Sequence, residues 1–385
     1  MPASPWRHLW PVANDPGTTY LNTAGEGPLA TIAEPAIQTY LDQKRRPHTK
    51  TITDAFTVPA SIRQHGAALI GADPAGCAVV PSTSYGMNIV AQGHPWQPGD
   101  RVLAFEGEFP ACIYPFLNLA DRGVTVDLCP AVEGIPDYGA LEALLTPHTR
   151  MLVTSWVQFF NGFTHDLAHL RTLCDRVGAL LVLDLTQGVG LLPINCLALG
   201  VDAATFSGHK TLCGPVGSGL FYLDPQHADP IKPMFMGWLS QMPGQDFNSL
   251  TDYRLRDALD GRRFETGSDA QVILRWFDVM LGWFLEQGVD TLSAHTRALT
   301  AEAATGLASR GYRLSPPEDH RGTVLSFRAT PAEATPALHK MLWSNGVICS
   351  LREGWIRLSF HCYNDDSDVS RLLEVLDRVG AEVAA

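Results

Sequence analysis

Between residues 75 and 225, seven short apolar runs alternate with amphipathic stretches: CAVVP at 77–81, RVLAF at 101–105, VTVDL at 124–128, RMLVTS at 150–155, ALLVLD at 179–184, DAATF at 202–206 and SGLFYL at 218–223. Several runs are apolar at consecutive positions, as burial on both faces requires. The segments between them (84–93, 111–122, 138–145, 166–177) carry helical spacing. This pattern predicts an α/β domain built on a mainly parallel, seven-stranded sheet.

After Gly267 the pattern changes to long helical stretches at 270–287 and 289–310, then strand TVLSFRA, a helix at 332–345, strand WIRLSF and a helix at 367–379. A smaller α+β domain is expected there. The first seventy residues hold an extended lead-in at TTYLNTAG and helical stretches near 29–43 and 57–70. We therefore divide the chain into an amino-terminal segment (1–30), a large domain (31–268) and a small carboxyl-terminal domain (269–385), with the ligand expected in the cleft between domains.

With 45% hydrophobic residues over 385 positions, the chain can build a large core without disulfides or metal. Its formal net charge of −12 argues against nucleic acid as a partner, because such binding draws on lysine and arginine against phosphate. The one basic cluster, Lys44-Arg45-Arg46, reads as a solvated helix end. No apolar run approaches membrane-spanning length, and the opening MPASPWRHLWPVANDPG lacks the apolar stretch of a signal peptide, so a cytoplasmic protein with no membrane partner is expected. Cys77, Cys112, Cys129, Cys174, Cys196, Cys213, Cys349 and Cys362 show neither a CxxC pair nor zinc-ligand spacing, and are expected to be buried small hydrophobes.

Three features carry chemistry. Ser207-Gly208-His209-Lys210 follows DAATF directly and precedes a glycine-rich stretch. That places Lys210 at the carboxyl edge of the sheet, where ligands bind in open α/β folds, although an ordinary loop lysine has the same local sequence. Strand ALLVLD ends in Asp184, a carboxylate in need of a partner. A pyridinium nitrogen would serve, the ion pair keeping the ring an electron sink for a carbanion at a substrate α-carbon, and a helix cap would serve as well. CAVVP leads through Ser82, Thr83 and Ser84 into a helix, which makes an anion cradle or a plain N-cap. Dinucleotide and P-loop motifs are absent.

Taken in order, YLNTAGEGPL, PSTSYGMN, GEFPACIYPF, SWVQFFNGFTHDL, LLVLDLTQGVG, VDAATFSGHK, RFETGSDA and WIRLSFHCYNDDSDV resemble the class V group of fold-type I enzymes dependent on pyridoxal 5′-phosphate. That group includes cysteine desulfurases, kynureninase and isopenicillin N epimerase. The resemblance implies Lys210 as the Schiff-base lysine, Asp184 as partner of the pyridine nitrogen and Gln187 as neighbour of the ring hydroxyl. It implies Thr83, Ser84, Ser207 and His209 around the phosphate, and Phe109 stacked on the ring where desulfurases place histidine. Arg357, which could also be a structural ion pair, matches the arginine that grips the substrate α-carboxylate, with Asn22 assisting. Ser268 matches a hydroxyl that reaches the neighbouring subunit's phosphate, which implies a homodimer with shared sites.

Two departures bear on the reaction. Desulfurases carry a nucleophilic cysteine in an R-x-G-x-x-C loop, but here Arg352-Glu353-Gly354 runs straight into the Arg357 strand, with Cys349 before it and Cys362 beyond. Desulfurase activity is therefore disfavoured. Phe159 and Phe160 stand where desulfurases place an asparagine, closer to kynureninase. The resemblance thus implies an enzyme acting on a small amino-acid substrate by aminotransferase-type or β-eliminating, C–S lyase-like chemistry. Epimerisation is the alternative, with His165, Tyr85, Tyr114 or Glu108 as the second acid or base. A binding subunit that has lost catalysis is the alternative of another class. Side-chain specificity is expected from the amino-terminal segment, Glu108–Tyr114 and Gly237–Tyr253.

Overall fold

A computed structural model describes residues 4–49, 54–227, 230–240, 251, 253 and 260–383. The seven expected strands form one sheet: β1 (Cys77–Val80), β2 (Arg101–Phe105), β3 (Thr125–Cys129), β4 (Thr149–Ser155), β5 (Leu180–Asp184), β6 (Ala203–Ser207) and β7 (Gly219–Leu223), in the order β1-β7-β6-β5-β4-β2-β3. Only β7 runs antiparallel to its neighbours β1 and β6.

The apolar runs are explained by two cores, one on each face of the sheet. Along β5, Leu181 and Leu183 enter one core and Val182 the other; along β1, Cys77 and Val79 part from Ala78 and Val80 in the same way. The edge strand β3 is the exception, half-exposed along most of its length. Helices α1 (Glu34–Arg45), α2 (Asp54–Ile70), α3 (Thr83–Gly93) and α4 (Leu167–Asp175) fall near their expected positions, and α2, α3 and α4 pack on the sheet. The stretch 111–122 breaks into short turns around Tyr114–Leu117, since Pro110 and Pro115 can open a helical turn but not continue one.

The small domain holds α6 (Val289–Ser309), α7 (Thr335–Ser344) and α8 (Asp366–Val383) against an antiparallel sheet of β8 (Arg313–Ser315), β9 (Val324–Arg328), β10 (Ser350–Arg352) and β11 (Trp355–Ser359), in the order β8-β9-β11-β10. Val369, Leu372, Val375, Leu376 and Val379 place one stripe of α8 in its core with Leu325, Phe327, Ile356 and Leu358.

Helix α5 (Gln271–Gln287) departs from the expected division. Its Leu274, Phe277, Met280, Leu281 and Phe284 share the large-domain core with Phe206 and Leu212, and it packs on α2. The break between cores thus falls near Gly288 instead of 269. Periodicity identifies the buried stripe of a helix but not the core that receives it.

The amino-terminal segment touches both domains. Thr19–Tyr20 pairs in parallel with Val347–Ile348, and Leu21 lies in the small-domain core. Gly27 N–H donates to His209 O at 2.8 Å. A Cβ on Gly27 would stand 2.0 Å from Lys210 O, so only glycine allows this approach.

Candidate active site

The carboxyl ends of β1, β2, β5 and β6 and the face of β10–β11 enclose a cavity of about 380 Å³, within the roughly 300–1,000 Å³ typical of small-molecule sites. From the large domain come Ser82, Thr83, Ser84, Phe109, Phe159, Asp184, Thr186, Ser207, His209 and Lys210; from the small domain Arg352 and Arg357; from the amino-terminal segment Ala24 and Gly25.

Lys210 leaves the end of β6 with Nζ 4.9 Å from the centre of the Phe109 ring. Burial pushes its ammonium below the ordinary value, Asp184 pulls the other way, and Arg357 and Arg352 lower it further. Asp184 is buried at the end of β5, where Oδ1 accepts Thr186 N–H at 2.9 Å. Burial raises its carboxyl, partly offset by Thr186 and Lys210.

Around the start of α3 the hydroxyls form a closed set. Thr83 Oγ1 lies 2.7 Å from Thr186 Oγ1 and 3.0 Å from Ser207 Oγ, and Thr83 N–H donates to Ser207 Oγ at 2.9 Å. Ser84 and His209 also line the cavity. Burial lowers the His209 imidazole, with Lys210 adding to the shift.

Arg357, on β11, is buried without a carboxylate partner among the described residues. Nη1 donates to Phe159 O, Nη2 lies 3.4 Å from Ser350 Oγ, and Nε has no partner. Burial, joined by the like charge of Arg352, pushes this guanidinium down to about 9. A desolvated, under-bonded guanidinium is costly unless a ligand completes it.

Three expected residues lie outside the lining. Gln187 Nε2 donates to Ala24 O at 3.1 Å, which leaves a buried Oε1 without a partner. Asn22 Oδ1 accepts Ser350 Oγ–H at 2.5 Å and so reaches Arg357 only through that serine. Ser268 is exposed, at φ 61°, and does not line the cavity of its own chain.

The residues weighed as a second acid or base are placed elsewhere. His165 is fully buried between Phe105 and Phe163 with Nδ1 3.1 Å from Tyr138 Oη, and burial lowers it to about 3. Glu108 lies behind the lining, where it accepts from Thr154 Oγ1, Ser155 N and Oγ, Gln158 Nε2 and Phe109 N at 2.6 to 3.1 Å. Tyr114 is exposed, and Tyr85 packs near Phe235. Thr186 and Arg352 are lining residues that sequence reasoning missed. The signal for Thr186 is a hydroxyl two positions beyond Asp184; for Arg352 it is the strand alternation that puts it on the face of Ser350.

The site fits the expected cofactor, pyridoxal phosphate. A lysine of lowered basicity, a buried carboxylate and a hydroxyl-rich helix start line the cavity, and Gln187 outside the lining keeps an amide oxygen unpartnered among the described residues; these are groups able to meet an aldehyde, a pyridine nitrogen, a phosphate and a ring hydroxyl. All eight cysteines are buried and unpaired, and the described residues contain no metal-ligand cluster. No described helix is long and apolar enough to cross a membrane.

Comparison with known proteins agrees with this geometry. The family profile described as "Aminotransferase class-V" matches residues 31–372. The "Uncharacterized aminotransferase YcbU" of Bacillus subtilis is 27% identical over 96% of each chain. The "Probable cysteine desulfurase 2" of Mycobacterium leprae is 30% identical over 82% of this chain and 80% of its own. Among solved structures, the Escherichia coli cysteine desulfurase CsdA superposes with a TM-score of 0.84 at 24% identity, covering 98% of both chains. A mutant of C-DES with glycine covalently linked to its PLP cofactor superposes with a TM-score of 0.87 at 23% identity, covering 97% of this chain and 99% of that one. Given a profile match over nearly the whole length, and a lysine, carboxylate and arginine gathered in one cavity, the chain belongs to the class-V aminotransferase family of pyridoxal phosphate enzymes.

Proposed function

We propose that this protein acts on an α-amino acid by aminotransferase-type or β-eliminating chemistry, with Lys210, Asp184 and Arg357 as its working residues. One observation carries the reading: a single cavity receives a buried amine from the large domain and a buried guanidinium lacking a carboxylate from the small one. Bound pyridoxal phosphate supplies an electron sink for the bonding pair released at the substrate α-carbon.

The chain's own residues do the rest. Arg357 takes the α-carboxylate, for which its planar fork is suited, and orients the α-carbon. Lys210 is the residue that would hold the cofactor covalently. Once freed, its amine accepts the α-proton on Nζ, and the burial that lowers its basicity favours the neutral form this step needs. Asp184 would stabilise positive charge on the ring nitrogen. Thr83, Ser84, Ser207 and His209 would hold the phosphate, and Gln187 the ring hydroxyl.

Persulfide-forming desulfurase chemistry is disfavoured because Glu353 and Gly354, at φ 48° and 77°, join β10 to β11 in a two-residue turn with no room for a cysteine loop. Cys349 and Cys362 are buried with raised thiol pKa values. A β-elimination without an enzyme cysteine stays compatible with the site, and C-DES, similar in fold, is described as a cystine C-S lyase. Epimerisation ranks behind because Phe109 and Phe159 carry no exchangeable proton. A homodimer in which Ser268 reaches the neighbouring site belongs to the same proposal and rests on the resemblance of RFETGSDA; the expectation of a cytoplasmic protein rests on the lack of a signal-like opening.

The test is an absorbance spectrum of the protein with pyridoxal phosphate, from about 300 to 550 nm, where lysine-bound cofactor absorbs. A band lost in Lys210→Ala is expected, followed by keto acid formation, with or without a released β-substituent, when amino acids are screened. No band in the wild type overturns the proposal.

A further inference from the structure

Resting on that reading of the site, we propose that Arg352 receives a second acidic group of the substrate, so that the preferred substrates are α-amino acids bearing a further carboxylate or sulfinate. The placement follows from strand register. Ser350 lies opposite Arg357 and Arg352 opposite Trp355, so Arg352 and Arg357 share one face as diagonal neighbours, about 7–8 Å apart at the backbone. Both line the cavity.

Neither arginine has a carboxylate partner among the described residues. Elsewhere in the small domain Arg310 pairs with Asp377, and Arg313 and Arg328 pair with Glu133. Among the described residues Arg352 donates only to the carbonyl of Leu351, its chain neighbour, at 2.8 Å. The tight turn at Glu353 and Gly354 fixes the strand that presents it.

Partner assignment points the same way. Asp184 is the lining carboxylate among the described residues. The cofactor's phosphate would be met at the start of α3 and its ring nitrogen at Asp184, and an α-carboxylate would occupy Arg357. Arg352 is then left over unless the substrate brings another anion. Because its side chain is exposed, a neutral substrate leaves it hydrated, so the discrimination expected is moderate.

The experiment is a spectral titration of the full-length holoenzyme with L-aspartate, L-glutamate and L-cysteine sulfinate, against L-asparagine, L-glutamine and L-alanine. It is repeated with Arg352→Ala and Arg352→Lys, whose cofactor bands report an intact site. The acids should bind about tenfold to a hundredfold tighter than the neutral compounds in the wild type. The ratio should fall toward one in Arg352→Ala and be partly restored in Arg352→Lys. A wild-type ratio near one overturns the proposal. So does an Arg352→Ala variant that weakens acids and amides equally, since Arg352 would then serve the α-carboxylate. If no amino acid perturbs the wild-type spectrum, the proposed function itself fails, an outcome distinct from either of these.

Discussion

On the large-domain wall of the cavity, hydroxyls and a carboxylate are already bonded to one another or to the backbone; on the small-domain wall a buried guanidinium is only partly bonded. Thr83, Thr186 and Ser207 close a ring of hydrogen bonds, and Asp184 is met by a backbone amide. Behind them Glu108 collects five donors. Across the cleft, Arg357 keeps a buried Nε without a partner and lies beside a second cation. On the proposed reading, the first wall would be preorganised for a resident cofactor. The second would be completed by the carboxylate of a passing substrate.

Four measurements can break or sharpen this contrast. Asp184→Asn removes the charge at the preorganised wall, and turnover should drop about 10²- to 10³-fold with the cofactor still bound; an unchanged kcat would mean that this wall contributes only shape. Arg357→Ala should act mainly on substrate affinity, raising KM by roughly a hundredfold. A fall in kcat alone would show that the small-domain wall is not a binding wall.

Glu108→Gln turns an acceptor into a donor among five donors, and should destabilise the fold by about 2–4 kcal/mol in chemical denaturation. An equally stable variant would show that the network behind Phe109 does not depend on the carboxylate. The smallest effect concerns acid. His165 has its pKa lowered to about 3 inside the fold, against about 6.5 unfolded, so the unfolded chain takes the proton first. Its contribution is complete above about pH 6.5 and is lost as pH falls from there to about 3. The stability–pH slope of His165→Gln should therefore be shallower by up to about one proton in that window. An identical slope would place the acid sensitivity elsewhere.

The large sheet was legible because strands covered on both faces read as unbroken apolar runs. That Lys210 and Asp184 line the cavity was legible because they sit at strand ends, on the edge of the sheet where a cleft opens. What escaped depends on register and on partners distant in sequence. Arg352 joins the cavity only because Ser350 pairs with Arg357, and Thr186 matters through Thr83 and Ser207. Asn22 and Gln187, expected at the site, lie outside the lining and are hydrogen-bonded to Ser350 and Ala24. Helix α5 was given to the wrong core, since a stripe of apolar residues does not name its partner. Of the expected specificity stretch Gly237–Tyr253, residues 241–250 and 252 lie outside the described residues.

The amino-terminal strap has a mechanical consequence. Leu21 is anchored in the small-domain core, Ala24 N–H donates to Ser359 Oγ at 2.8 Å, Ala24 O receives Gln187, and Gly27 N–H holds the lysine loop. A short main-chain turn therefore ties the arginine strand to the lysine loop. Because Gly25 and Glu26 N–H both donate to Asn22 O, this tether holds slack, and a displacement of the small domain would open the turn before it pulled on the loop that carries Lys210.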